Sequence, residues 1–126
     1  MFLSIKDLKV YQLSRQLSSI AWSIYATMPY EDKKHIGDQF LRSTDSVGAN
    51  IAEGYARFHY LDKCKFYYNS RASLSEANDH WLELLLERNK IEIRTYEVYK
   101  SISKDLQIRL NNFIKQTKNE KEQIDK

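Results

Sequence analysis

The amino-acid sequence predicts an all-α fold, an up-down-up-down four-helix bundle, and three observations carry that prediction. The chain has 126 residues but only 3 Gly and 1 Pro, too little punctuation for many short strands joined by tight turns. Long stretches repeat apolar residues at steps of three and four, the spacing of one helix face. The connections between those stretches are short, which makes sequential helices antiparallel neighbours. A chain of this length fits one domain with a real core. We place that domain at residues 1–118 and expect a polar, disordered tail at 119–126.

The first helix is expected from about Lys6 or Asp7 to Met28, with its stripe at Val10, Leu13, Leu17, Ile20, Ala21, Ile24 and Met28. Tyr11, Trp22 and Tyr25 lie at the margin of that stripe and suggest a second contact surface. Pro29 ends the helix, because the residue before proline disfavours helical angles. Residues 30–36 are rich in charge and read as a solvated loop with room for one helical turn. Gly37 and Asp38 start the second helix, which runs to about residues 57–59. Asp62 is an N-cap candidate for the third helix, and Asn89 can take the left-handed conformation that ends it. The core positions of this helix are Phe66, Tyr67, Leu74, Ala77, Trp81, Leu84 and Leu85; Arg71, Ser75 and Asn78 mark its edge. The fourth helix spans about residues 94–118, with Tyr99, Ile102, Leu106, Arg109, Leu110 and Phe113 as its stripe.

The second helix is unusual. At 3.6 residues per turn, Arg42, Ser46, Asn50, Glu53 and Arg57 share one narrow polar stripe. Phe40, Val47, Ile51, Tyr55 and Phe58 lie opposite, with Gly48, Ala49, Ala52, Gly54 and Ala56 between the faces. Glycine costs about 1 kcal/mol against alanine in a helix interior, so Gly48 and Gly54 mark places where another backbone or side chain comes close. The polar stripe has two readings. It can be a structural seam, pairing within itself or with Arg71, Ser75 and Asn78 of the third helix. It can instead hold a ligand or partner, since an arginine fork suits phosphate or carboxylate.

Other chemistries find little support. His35, His59 and His80 have no Cys or Ser nucleophile at a recognisable spacing, so no catalytic residue is assigned. Glu76 and His80 are four apart, which is not the Glu-x-x-His spacing of a bundle-core metal site, and no metal or cofactor is expected. Gly48 and Gly54 are too far apart for a phosphate loop. Cys64 stands alone, so no intramolecular disulfide can form. The start of the chain lacks a signal-peptide pattern, and no apolar run reaches the roughly 20 residues that span a membrane. We expect a cytoplasmic protein with no membrane partner. The net charge of +3 permits nucleic-acid contact without demanding it. Tyr67 and Tyr68 beside Arg71 could stack on and steer single-stranded RNA, or serve as core aromatics with wet hydroxyls.

Three blocks carry a resemblance. They are residues 7–14, beginning Asp7-Leu8-Lys9-Val10-Tyr11; Asp38-Gln39-Phe40-Leu41-Arg42-Ser43 with Asn50-Ile51-Ala52-Glu53-Gly54-Tyr55-Ala56-Arg57; and residues 66–76, beginning Phe66-Tyr67-Tyr68-Asn69-Ser70-Arg71. Together they resemble the bacterial four-helix bundle family also called the 23S ribosomal RNA intervening-sequence, or S23-like, proteins. The Asn-Ile-Ala-Glu-Gly block is the most specific part. Where the family often has two arginines, this chain reads Leu41-Arg42, which weakens any double-arginine contact. The region of Ser46-Val47-Gly48-Ala49 also departs from the family pattern, with little consequence. The resemblance implies an up-down bundle, a homopentamer around a central channel and no established enzymatic activity. It also implies a fold like that of the accessory protein of diversity-generating retroelements, which works with nucleic acid. The expectation is a non-enzymatic, self-associating bundle that binds RNA or a ribonucleoprotein partner. The alternatives are a small-ligand bundle using the polar stripe, and a purely structural oligomer.

Overall fold

The structure, a computed structural model, describes residues 3–125. Four long helices make up the molecule, preceded by a short 3-10 turn at Ile5–Asp7. Helix α1 is Lys9–Ala26. Helix α2 covers residues 30–56, and helix α3 covers residues 60–87. Helix α4 is Ile93–Asp125. Helices adjacent in sequence pack side by side, and α4 closes back onto α1. The result is an up-down-up-down four-helix bundle.

Both middle helices contain a wider, π-type turn, at Lys33–Gly37 in α2 and Glu76–Trp81 in α3. The residues flanking each turn keep right-handed helical angles, so the helices run through without a break. Residues 30–36 are therefore helical, where the charge cluster had predicted a loop. Pro29 is extended and sits just before the helix, and Glu31 and Asp32 occupy its first turn, where the helix dipole favours negative charge. Ile36 is buried, while Asp32 reaches Lys90 at 3.1 Å and ties this end of α2 to the α3–α4 connection. The charges form the outer face of a helix.

The other boundaries follow local chemistry. Helix α3 begins at Tyr60, so Asp62 lies in its first turn rather than at its cap. Asn89 adopts φ 56°, and the Lys90 amide returns to the Leu85 carbonyl at 2.8 Å. That left-handed closure satisfies carbonyls at the helix end, as the sequence indicates. Helix α4 continues past Lys118 to Asp125, where a polar tail was expected. Lys, Glu and Gln in that stretch are good helix formers, and nothing there breaks the helix. Lys126, the last residue of the expected tail, lies outside the described residues.

The core runs the length of the bundle. Leu17, Ala21, Phe40, Val47, Ile51, Leu82, Leu85, Tyr99, Leu106 and Leu110 are fully buried. Each large apolar side chain among them contributes roughly 1.5–3 kcal/mol relative to exposure. Phe40 packs on Tyr99 with ring centroids 5.4 Å apart, and Tyr67 on Phe113 at 4.8 Å. Deep in the core the Thr44 and Tyr99 hydroxyls share a 2.8 Å hydrogen bond. Burial pushes the Tyr99 phenol pKa well up. Two expected core positions differ. Arg109 is exposed and donates to Asp105 one turn back, and Phe58 is 88% exposed, just past the end of α2. At the α3–α4 face, Lys100 pairs with Glu83 at 2.6 Å, and the Tyr96 hydroxyl donates to the same carboxylate. These two donors, Lys100 first, hold the Glu83 carboxyl below its ordinary pKa.

Candidate functional site

The polar stripe of α2 is largely closed on itself. The Asn50 amide donates to the Ser46 carbonyl and to the Ser46 hydroxyl, each at 2.9 Å. The Ser46 hydroxyl also meets the Ser73 hydroxyl of α3 at 2.9 Å. Glu53 and Arg57 pair one turn apart on the surface, and the Arg57 guanidinium lies 4.8 Å from the Phe66 ring centroid. An exposed pair of this kind contributes little stability. Arg42 is exposed at the far end of the stripe.

The stripe meets α3 through Ser73 and Phe66, not through Arg71, Ser75 and Asn78. Small hydroxyls allow the close seam that an arginine would wedge apart. Ser70, buried on the same side of α3, donates to the Val47 carbonyl at 2.8 Å. Arg71 points instead to α4, where it donates to the Asn111 amide oxygen at 3.2 Å. Asn78 bonds its neighbour Asp79 and offers its carbonyl to Lys100 of α4. Ser75 is half-buried.

Both stripe-flanking glycines sit at close approaches. A Cβ on Gly48 would lie 2.8 Å from the Ser14 hydroxyl of α1. A Cβ on Gly54 would lie 2.7 Å from the Tyr67 ring and 3.0 Å from the Phe66 Cβ. The first glycine thus brings α2 against α1, and the second brings it against α3.

Arg71 leads to a groove on the other side of α3. Tyr68, Arg71, Asn111, Ile114, Lys115 and Lys118 line a groove of about 420 Å³ between α3 and α4. The volume falls within the range of ligand sites. Ile114 is buried and forms the apolar floor. The Arg71 guanidinium lies 5.0 Å from the Tyr68 ring centroid, and the Lys118 ammonium 4.9 Å. The Tyr68 hydroxyl beside Lys118 raises the ammonium's pKa. An open groove with three cations and an aromatic ring attracts an anion.

The sequence pointed to Tyr68 and Arg71 and missed their partners. Tyr67, the neighbouring tyrosine, is 1% exposed and belongs to the core. Asn111, Ile114, Lys115 and Lys118 recur at steps of three, one and three, which places them on one face of α4. That spacing was the available signal.

Among the described residues, no group of three or more His, Cys, Asp and Glu could hold a metal ion. No helix of the described residues is long and apolar enough to cross a membrane.

No curated protein matches the chain. Among solved structures, the fold is similar to a protein of unknown function from the S23 ribosomal protein family of Bacteroides thetaiotaomicron. That match has a TM-score of 0.77 at 27% identity and covers 84% of this chain and 98% of the other. The family model described as 23S rRNA-intervening sequence protein matches residues 6–112, which includes Tyr68, Arg71 and Asn111 but not Lys115 or Lys118. With nearly the whole bundle inside that match, the chain belongs to the 23S rRNA-intervening sequence protein family.

Proposed function

We propose that this protein is a non-enzymatic, self-associating bundle that binds RNA through the α3–α4 groove. The observation that carries the proposal is the gathering of Arg71, Lys115 and Lys118 around the Tyr68 ring. Cations that line a groove track the backbone of a single-stranded nucleic acid. A cytoplasmic setting goes with the proposal.

The homopentamer implied by the family resemblance is part of the same proposal. It is supported by large apolar side chains that one chain leaves in water, Trp22, Phe58, Leu61, Ile93 and Ile108. Such side chains are candidates for burial between copies. The small-ligand alternative on the α2 stripe has less to offer, because Ser46, Asn50, Glu53 and Arg57 spend their polar groups on nearby residues.

Electrophoretic mobility shift with structured and single-stranded RNA across a salt series tests the binding. A shift at low salt that weakens steeply as salt rises is expected. Absence of any shift at low salt would refute RNA binding. Light scattering tests assembly, and a monomer would refute the pentamer.

A further inference from the structure

We propose that the groove holds the phosphate backbone of the RNA strand rather than its bases; this rests on the RNA-binding reading above. Two features of the lining lead there. First, the Tyr68 ring is already engaged. Arg71 at 5.0 Å and Lys118 at 4.9 Å both stand within the roughly 6 Å reach of a cation–π contact. A base approaching this ring would compete with both cations for it.

Second, the groove offers donors and almost no acceptors. Arg71, Lys115 and Lys118 carry only N–H donors. The Asn111 amide oxygen is the clearest acceptor, and it already receives the Arg71 guanidinium at 3.2 Å. Reading adenine or cytosine requires an acceptor for the exocyclic amino group. Phosphate oxygens require donors alone, and an arginine fork with ammonium groups supplies them. The groove therefore suits phosphate oxygens and does not read adenine or cytosine.

Fluorescence anisotropy with three labelled single strands of equal length tests this: polyuridine, polyadenosine and an abasic ribose-phosphate backbone. The expected result is three dissociation constants within about threefold of one another. Losing a stacked base would instead weaken binding by roughly tenfold or more. The salt dependence is expected to have a log–log slope near −2, from about 0.7 for each of three neutralised phosphates. Lys118→Gln and Lys115→Gln should each reduce that slope by about 0.7 and weaken all three ligands by the same factor. Both lysines are exposed, so the variants should keep the wild-type circular dichroism spectrum.

If the natural strands bind and the abasic strand binds more than about tenfold more weakly, the phosphate proposal is overturned and RNA binding stands. Unchanged slopes in both lysine variants would likewise overturn the assignment to this groove. Failure of every strand to bind at low salt would overturn the RNA-binding reading itself, and this proposal with it.

Discussion

Gly54→Ala tests the packing of α2 against α3 with a single methyl group. The new Cβ would sit 2.7 Å from one atom of the Tyr67 ring, 3.0 Å from a second, and 3.0 Å from the Phe66 Cβ. Tyr67 has little room to yield, being 1% exposed and packed at a tilt against Phe113, ring centroids 4.8 Å apart. Overpacking of this kind costs about 1–3 kcal/mol, and the rigid neighbours push the value toward the upper end. Alanine returns up to about 1 kcal/mol of helix propensity. The net loss is about 1–2 kcal/mol, or a fall in Tm of roughly 4–8 °C for a chain of this size. Thermal unfolding followed by far-ultraviolet circular dichroism, at one fixed protein concentration, measures it. Ala49→Gly on the exposed side of the same helix calibrates the propensity contribution, with an expected loss of about 1 kcal/mol. A Gly54→Ala protein as stable as wild type, or more so, would refute the close-approach argument, because propensity alone would then have decided the outcome.

Two further perturbations probe polar groups inside and between the helices. Tyr99→Phe leaves the buried Thr44 hydroxyl without its partner and should cost about 1–3 kcal/mol, while Tyr99→Phe with Thr44→Val should recover most of that loss. A Tyr99→Phe protein as stable as wild type, read from urea denaturation, would show that the bond contributes nothing. For Glu83, the carboxyl's pKa is depressed in the folded protein by Lys100 and Tyr96. Its stabilising contribution is therefore present above the ordinary value of 4.5 and lost as pH falls through the lower, folded value. Glu83→Gln should lower stability near pH ~7, and the difference from wild type should shrink as pH falls below 4.5. A difference that stays constant across that range would contradict the assignment.

The bundle was legible because its apolar residues recur with helical spacing and its glycines are few. Gly48 and Gly54 were legible for a related reason, since a residue that costs stability in a helix needs a compensating contact. Two kinds of feature were not. The charges of residues 31–35 look alike whether they bound a loop or coat a helix, and only the buried Ile36 and the Asp32–Lys90 pair decide between them. The wider turn in α3 hides in the same way. Ala77 and Leu82 are both fully buried though five residues apart, a spacing that an ordinary helix would place about 140° apart. The periodicity of that stretch therefore blurs, and the sequence around residues 82–86 looks apolar over much of the wheel. For the candidate site, Tyr68 and Arg71 stood out because they lie three residues apart, on one face of a single helix. Asn111, Lys115 and Lys118 join them only through the antiparallel docking of α4, which pairs positions 40 residues apart in the Arg71–Asn111 bond.

The wider turn at Glu76–Trp81 also bears on how the length of this chain can drift over evolutionary time. In an ordinary helix, adding or removing one residue rotates everything beyond it by about 100° and turns its buried face toward water. A π-type turn is a place where one additional residue has been absorbed while the two halves of the helix keep their phase. Removing a residue there would restore the regular repeat and leave Tyr67 and Leu74 on one side, and Leu82 and Leu85 on the other, still facing the core. Helix α3 thus carries a built-in site of length tolerance, and homologues one residue shorter should differ at this turn before they differ anywhere else along the helix.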